Sequence, residues 1–94
     1  MLKIWAASSF LLYQNDPNPF YPATSISFDI PKRTLIKQIV YDVTGKEVSI
    51  LVNEELNTGH YKVNFNRNNI SNGIYFYRLI TSEFTETRKM ILLK

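Results

Sequence analysis

The chain of 94 residues is long enough for one domain, and its hydrophobic fraction of 45% argues for a packed core and against disorder. It has no cysteine and a single histidine, His60, so it lacks a cysteine nucleophile and the usual ligands of a zinc site, and we expect no metal, no cofactor and no enzyme activity. The net charge of +3 comes from basic residues scattered along the chain, and the lack of a dense basic stripe argues against nucleic-acid binding.

The composition favours β-structure. Ile, Val and Thr together number 22 while Ala numbers 3, and β-branched side chains fit a pleated sheet better than a helix. No window of the sequence carries apolar residues at helical spacing. The chain is therefore predicted to be all-β, without a helix of importance.

The first residues, 1–13, resemble a signal peptide at first sight, because one lysine precedes an apolar run. Residues 6–9 dilute that run, no small-residue cleavage site follows it, and it is too short to span a bilayer. We therefore expect a linker or an expression leader over residues 1–11, with a signal peptide as the alternative, and one domain over residues 12–94.

Residues 15–22 contain three prolines, which fix φ and push their predecessors into extended conformations. The sequence predicts a stiff, extended segment that Phe20 and Tyr21 pin to the body of the domain. An ordinary proline-rich linker is the alternative. In the functional interpretation, this segment sets how upstream sequence leaves the domain.

Residues 24–30 alternate between apolar and polar, with Ile26, Phe28 and Ile30 on one face, which predicts a half-buried strand that ends at Pro31. Residues 35–43 predict a second strand. Its phase is ambiguous because apolar side chains fall on both faces, a pattern typical of a strand near the middle of a fold.

Residues 42–46 predict a turn, in which Gly45 supplies a positive φ and Asp42 hydrogen-bonds nearby backbone N–H groups. Residues 48–52 then predict a short strand. Residues 53–59 are mostly polar and predict a loop that Leu56 anchors.

The next extended segment, residues 60–65, alternates again. Its pattern places Tyr61, Val63 and Phe65 toward the core and His60, Lys62 and Asn64 toward solvent. The polar residues 66–71 predict a loop that brings the chain to the dipeptide Asn72-Gly73.

The last third of the chain predicts a β-hairpin. Asn72-Gly73 is a strong turn dipeptide, and the aromatic and β-branched residues 74–80 predict a central strand. After a polar break, residues 84–93 can return alongside it. We expect at least two of the apolar residues 90–93 to face the core.

Two registers remain open for this hairpin. A three-residue loop at 81–83 sets Arg78 opposite Glu86, whereas a two-residue loop at 81–82 sets Tyr77 opposite Glu86. A change of one residue swaps the faces that meet, so at most one register matches the buried surface. We favour the shorter loop.

Six extended segments spaced about a dozen residues apart, with turn chemistry between them, predict an antiparallel β-sandwich. A small OB-like barrel is the alternative.

Five motifs follow one another along these segments. They are Asn-x-Pro-Asn-Pro-Phe, Ile-x-Phe-x-Ile-Pro, Val-Tyr-Asp-x-x-Gly-Lys-x-Val, Gly-Ile-Tyr-Phe-Tyr-Arg-Leu and Thr-x-Lys-Met-Ile-Leu-Leu-Lys. In this order and spacing they resemble the C-terminal sorting domain of the type IX (Por) secretion system, type A, from about Leu12 to Lys94. Two departures are Gln38, where the family usually has an aliphatic residue, and Ser82, where it often has Gly.

The resemblance implies a small antiparallel immunoglobulin-like β-sandwich of about six to seven strands that serves as a removable address. Domains of this family end secreted cargo proteins of Gram-negative bacteria. The cargo reaches the periplasm by a separate N-terminal signal, the outer-membrane translocon recognises the folded domain, and a sortase cuts ahead of it. The cargo is then displayed on the cell surface or secreted, and the domain itself is not stably inserted in the membrane. By family position, the cut would fall between Ser8 and Gln14.

The resemblance also assigns a sorting motif, which is spread over the chain. Its residues are Asn18, Pro19, Phe20, Asp42, Gly45, Gly73, Tyr75, Tyr77, Arg78, Leu79, Lys89, Met90 and Lys94. Lys89 and Lys94 are candidates for an ionic docking point, and solvated residues flanking an apolar strand are the alternative interpretation.

The residues also offer an aromatic cluster and two aspartates as candidate sites. The cluster of Tyr75, Phe76 and Tyr77 is a candidate stacking platform for sugars or bases, although alternation along a strand is more typical of core packing on one face. Asp29 and Asp42 fall on different elements, which argues against a catalytic carboxylate pair. The alternative functions are a stand-alone adhesive or carbohydrate-binding β-sandwich and a nucleic-acid-binding barrel.

Overall fold

The computed structural model of the protein describes residues 8–66 and 68–94, and these form seven strands without a helix. The strands are β1 (Leu11–Leu12), β2 (Ala23–Ile30), β3 (Thr34–Tyr41), β4 (Glu47–Leu56), β5 (Gly59–Asn66), β6 (Gly73–Ile80) and β7 (Thr85–Leu92). Nothing among the described residues is a helix that could cross a bilayer. The apolar run that resembles a signal peptide falls largely on residues 1–7, outside the described residues.

The strands form two antiparallel sheets, which confirms the predicted sandwich. The first sheet has the order β1-β2-β5 and the second has the order β4-β3-β6-β7. Strand β6 pairs with β3 on one side and β7 on the other, so it is central as predicted. Each sheet contributes one face to a common hydrophobic core.

Strand β2 shows how the sequence pattern builds that core. Ile26, Phe28 and Ile30 are fully buried, while the residues between them are half-buried on the opposite face. In β5, Phe65 is buried, and Tyr61 and Val63 pack against the core as partly buried residues. These predicted inward faces are confirmed.

Strand β3 has its even-numbered residues inward, which resolves the ambiguous phase. Ile36, Gln38 and Val40 are fully buried, whereas Leu35 is 49% exposed. Ile39 is only 6% exposed but lies outside the core cluster, because it belongs to the outer face of the sheet. The strand ends at Tyr41, two residues before the predicted end, where the Asp42 turn begins.

Strand β4 corrects the prediction for its region. It is ten residues long, and the predicted polar loop at residues 53–59 is wrong because most of that segment belongs to the strand. Its polar end pairs in register with β3, for example Asn53 with Lys37 and Glu55 with Leu35. Backbone pairing to a neighbour satisfies the peptide groups there whatever the side chains are. Two register shifts disturb its alternation, so its sequence lacks a clean strand pattern.

The hairpin β6–β7 has neither of the two predicted registers. Ile80 pairs with Thr85 and Tyr75 with Met90, so the connection spans the four residues 81–84. The Thr81 hydroxyl accepts hydrogen bonds from the backbone N–H groups of Glu83 (3.1 Å) and Phe84 (2.9 Å), which stabilises the longer loop. The favoured two-residue loop places the correct side chains toward the core, but its strand pairing differs from the observed one by two residues. A shift of two residues leaves each side chain on the same face of the sheet.

The turn predicted at Asn72-Gly73 lies earlier in the chain. Asn68 and Asn69 form the turn, and Asn68 adopts a left-handed φ of 47°. Asn72 is a bend that leads directly into Gly73, the first residue of β6.

Gln38 provides a test of the core. Its Nε2 donates a hydrogen bond to the Arg78 carbonyl oxygen (3.1 Å), but its buried Oε1 has no partner within the described residues. An unsatisfied buried polar atom costs about 1–3 kcal/mol. Gln38→Met should therefore raise the free energy of unfolding by about 1 kcal/mol in urea titrations.

The matched control is Gln14→Met, because the Gln14 amide donates to the Lys89 carbonyl oxygen (2.8 Å) at an exposed position. This control should give no gain. A Gln38→Met domain that is no more stable than the parent would show that Oε1 is solvated.

Candidate functional site

The proline segment, defined here as residues 13–22, covers the outer edge of β7. The Phe20 N–H donates to the Ile91 carbonyl oxygen (2.9 Å), and the Leu93 N–H donates to the Phe20 carbonyl oxygen (3.1 Å). The Asn18 side-chain oxygen accepts from the Ile91 N–H (2.9 Å). The last strand is therefore hydrogen-bonded on both sides, and the segment is an integral part of the second sheet's edge.

The two aromatic residues predicted to pin this segment differ in burial. Phe20 is 1% exposed and contacts the Phe65 ring edge-to-face, with 6.0 Å between ring centroids. Tyr21 is 41% exposed, and the Lys94 ammonium lies over its ring at 5.9 Å. The prediction is confirmed for Phe20, whereas Tyr21 lies at the surface.

A buried polar network ties the start of the proline segment to β6. The Asn15 N–H donates to the Tyr77 hydroxyl (2.8 Å), which itself donates to the Tyr13 carbonyl oxygen (2.7 Å). The Asn15 amide donates to the Thr24 hydroxyl (3.1 Å) and to the Pro17 carbonyl oxygen (3.0 Å). Burial raises the pKa of Tyr77 to about 12, so the phenol keeps its donor proton. Asn15 was missed as a site residue, although it is the first residue of the motif Asn-x-Pro-Asn-Pro-Phe.

Most residues of the predicted sorting motif are structural. Five apolar or aromatic members lie in the core, namely Phe20, Tyr75, Tyr77, Leu79 and Met90. Gly73 starts β6 opposite Leu92, and Pro19 lies between Asn18 and Phe20 in the proline segment. The motif thus specifies how the two sheets close on each other.

Asp42 and Gly45 form the predicted turn between β3 and β4. The Asp42 Oδ1 accepts hydrogen bonds from the Thr44 N–H (2.9 Å), the Thr44 hydroxyl (2.6 Å) and the Lys46 N–H (3.1 Å). Gly45 has φ of 87°, a left-handed conformation that favours glycine. One carboxylate therefore organises the whole turn.

This carboxylate predicts a pH dependence. The hydrogen bond from the Thr44 hydroxyl, together with the Lys46 and Thr44 backbone N–H groups, lowers the pKa of Asp42 below its ordinary value of 3.8. A lowered folded-state pKa contributes stability above the unfolded-state pKa, and this contribution is lost as pH falls through the folded-state value. The difference in unfolding free energy between the parent and Asp42→Asn should therefore shrink from neutral pH to about pH 2.

Asp16→Asn is the control for this titration, because the Asp16 carboxylate makes none of the turn's hydrogen bonds. A difference between the parent and Asp42→Asn that stays constant with pH would contradict the role of the charge.

Two exposed motif residues, Arg78 and Lys89, lie on the outer face of the second sheet. Arg78 lies over the Tyr41 ring (5.1 Å from Cζ to the centroid) and donates from Nε to the Thr87 hydroxyl (2.9 Å). Lys89 is the cross-strand partner of Phe76. A shallow hollow of about 400 Å³ is lined by Tyr41, Asp42, Val43, Thr44, Gly45, Phe76, Arg78 and Thr87.

The structure therefore joins part of the motif into one surface and leaves part outside it. Asp42, Gly45 and Arg78 line the hollow, and Lys89 lies next to it. Lys94 is separate, beside Tyr21.

The structure forms neither the candidate stacking platform nor a pair of catalytic carboxylates. Tyr75 and Tyr77 face the core while Phe76 faces outward, so the three rings do not share a platform. Asp29 lies in the other sheet from the Asp42 turn and pairs with His60, so the two carboxylates are not a pair. Among the described residues, no group of acidic or histidine side chains is arranged to hold a metal ion.

Comparison with known families gives one match. The family model described as "Secretion system C-terminal sorting domain" matches residues 16–93. This span starts within the proline segment and includes strands β2 to β7. No curated protein and no solved structure matches the chain.

Proposed function

Because this chain belongs to the family of type IX secretion C-terminal sorting domains, we propose that the outer-membrane translocon recognises it as a folded label and that a sortase then removes it. The match over nearly the whole chain carries the proposal. The burial of five motif residues supports it further, because motif residues that lie in the core specify a folded shape and not a linear peptide. The family is a secretion tag and not a catalytic domain.

The proposed route has two membrane steps. Cargo attached ahead of this domain crosses the inner membrane by its own N-terminal signal and passes through the periplasm. The sorting domain then directs it to the type IX machinery for display on the cell surface or secretion. Lys89, and Arg78 in the hollow beside it, are motif residues that stay accessible in the folded domain.

We propose that the sortase cuts between Ser8 and Ser9, inside the wider range expected from the family. Ser8 and Ser9 are exposed and lie outside the strands, whereas Phe10 stacks on Phe84 with 5.2 Å between ring centroids. Peptide bonds outside a sheet are easier to fit into a protease cleft than paired ones, so a cut ahead of Phe10 would leave the domain intact.

The test uses residues 1–94 fused behind a reporter with a periplasmic signal peptide. In a type IX host, the reporter should reach the cell surface or the medium, and in an isogenic strain without the translocon it should stay in the periplasm. Equal export in both strains, or retention in both, would refute the proposal. Mass spectrometry of the exported reporter then locates the cut.

A second candidate is a stand-alone carbohydrate-binding or adhesive module, because the hollow contains the aromatic residues Tyr41 and Phe76. Sugars usually stack on an open ring face, but here the Arg78 guanidinium lies over the Tyr41 ring. The sorting role is therefore favoured. Glycan binding that is lost in Phe76→Ala would favour the alternative.

A further inference from the structure

The two outer faces of the sandwich differ in chemistry. The outer face of the β1-β2-β5 sheet is polar over β2 and β5, with Ser25, Ser27, Asp29, His60, Lys62 and Asn64. Several of these side chains satisfy one another, as in the hydrogen bond from the Ser25 hydroxyl to the Asn64 side-chain oxygen (2.9 Å). This is the usual solvated face of an antiparallel sheet.

The outer face of the β4-β3-β6-β7 sheet is different. Residues paired across antiparallel strands share a face, so the register aligns the outward-facing side chains of the four strands in rows. Its apolar members are Leu35, Ile39, Ile50, Ile74, Phe76, Ile80 and Ile91. We call this surface the apolar face.

Three residues of the apolar face are open to solvent. Ile50 is 56% exposed, Leu35 49% and Ile74 40%, whereas Ile39 is covered. None of the three exposed residues is part of the core cluster or packed against it. Leu35 and Ile80 line a common hollow, and exposed apolar surface of this kind marks an interaction site.

Basic residues lie within this apolar face. Lys37, Arg78 and Lys89 occupy its rows on β3, β6 and β7, and none of them forms an ion pair within the described residues. The acidic members, Glu47 and Glu55, lie on β4 at one rim, where Glu55 forms an ion pair with Arg33 (2.9 Å). The charge therefore changes sign across the face, from Glu47 on β4 to the basic residues of the other three strands.

Two hollows flank the row that contains Ile39 and Arg78. The hollow of about 400 Å³ lies on the side of Tyr41 and Phe76. The second, of about 250 Å³, lies on the side of Lys37 and Ile80 and is lined by Leu35, Lys37, Ile80, Thr81 and Ser82. Hollows of this size accept individual side chains of a partner.

We propose that the apolar face docks onto a protein of the export machinery, whose contact surface combines apolar side chains with carboxylates opposite Lys37, Arg78 and Lys89. This inference rests on the proposed function and names the surface and the chemistry of its partner. A protein fits better than an anionic bilayer, because Glu47 at the rim would be repelled by anionic headgroups and because the hollows match side chains.

The experiment uses two positions outside the recognised motif in the reporter fusion of residues 1–94. Lys37→Glu reverses a charge on the apolar face, and Lys62→Glu makes the same change on the polar face. Lys37→Glu should lower the exported fraction about tenfold, the effect of losing about 1.4 kcal/mol of binding, whereas Lys62→Glu should export as the parent does. Lys37→Arg should restore export.

The paired variant Leu35→Ser/Ile50→Ser tests the apolar contribution and should also reduce export about tenfold while the domain keeps its cooperative melt. Should Lys37→Glu fail to fold, this variant decides the question. If both face variants are exported as well as the parent, or if Lys62→Glu loses as much export as they do, the docking surface is refuted. The proposed function still stands in either case, because the parent fusion itself is exported. Failure of the parent fusion itself would instead overturn the proposed function.

Two further measurements test whether a membrane or a second copy of the chain binds to the apolar face instead. The purified chain is floated with phosphatidylglycerol vesicles and its mass is measured by analytical ultracentrifugation. Absence of flotation and a monomeric mass support the protein partner. Flotation that Lys37→Glu abolishes would assign the face to a membrane, and a dimer that Leu35→Ser/Ile50→Ser dissociates would assign it to a second copy. Either result would overturn the proposal.

Discussion

Deleting residues 90–94 is expected to unfold the domain and to abolish export together. Met90 and Leu92 are fully buried, and burying each such side chain stabilises a protein by about 1.5–3 kcal/mol. The deletion therefore removes about 3–6 kcal/mol of a total that is typically about 5–15 kcal/mol. It also removes the backbone partners of Phe20 and of the start of β6, which leaves both segments unpaired.

Circular dichroism melts and the reporter assay measure the two outcomes in parallel. Leu93→Ser is the matched control, because Leu93 is 57% exposed and its change should leave both the melt and export unaffected. A truncated domain that melts cooperatively but is not exported would contradict the expectation, since the tail would then act as a recognition peptide and not as an interior strand.

Replacing Phe20 should have the second largest effect. Its ring is 1% exposed in the core, and truncation of a buried Phe to Ala typically costs about 3–5 kcal/mol. The backbone of Phe20 also holds the edge of β7 through its hydrogen bonds to Ile91 and Leu93. Phe20→Ala should therefore lower the free energy of unfolding by about 3–5 kcal/mol and loosen the proline segment.

Denaturant titration gives the free energy, and amide hydrogen exchange at Leu93 reports whether the edge pairing opens. The neighbouring change, Tyr21→Ala, is the control and should cost less than about 1 kcal/mol, because Tyr21 is 41% exposed. Equal losses in the two variants would contradict the assignment of Phe20 as the residue that pins the segment.

These expectations explain why five residues of the predicted sorting motif are buried. Tyr77 and Met90 lie inside the sandwich and cannot touch a partner, yet they determine how the sheets close. Arg78 and Lys89, in contrast, lie on the outer face, where the proposed partner would contact them. The motif therefore combines residues that build a shape with a few residues that the shape presents.

The sequence alone was sufficient for the parts of the fold that depend on local pattern. The inward faces of β2 and β5 follow from alternation with period two, and so does the burial of Tyr75 and Tyr77 in β6, because successive side chains point to opposite faces of a strand. The Asp42 turn follows from the chemistry of Asp and Gly over a few residues. The family followed from the order and spacing of five motifs.

Other features were decided only by the tertiary structure, because they depend on residues distant in the chain. Strand β4 extends over a polar sequence because β3 supplies partners for its backbone, and its register shifts hide the alternation. The register of the β6–β7 hairpin is set by a side chain that closes its loop, Thr81. The apolar face follows from neither local pattern nor motif, because its rows exist only once four strands are aligned. Period two assigns each residue to a side of its own strand, but it takes pairing between strands to decide which side chains become neighbours.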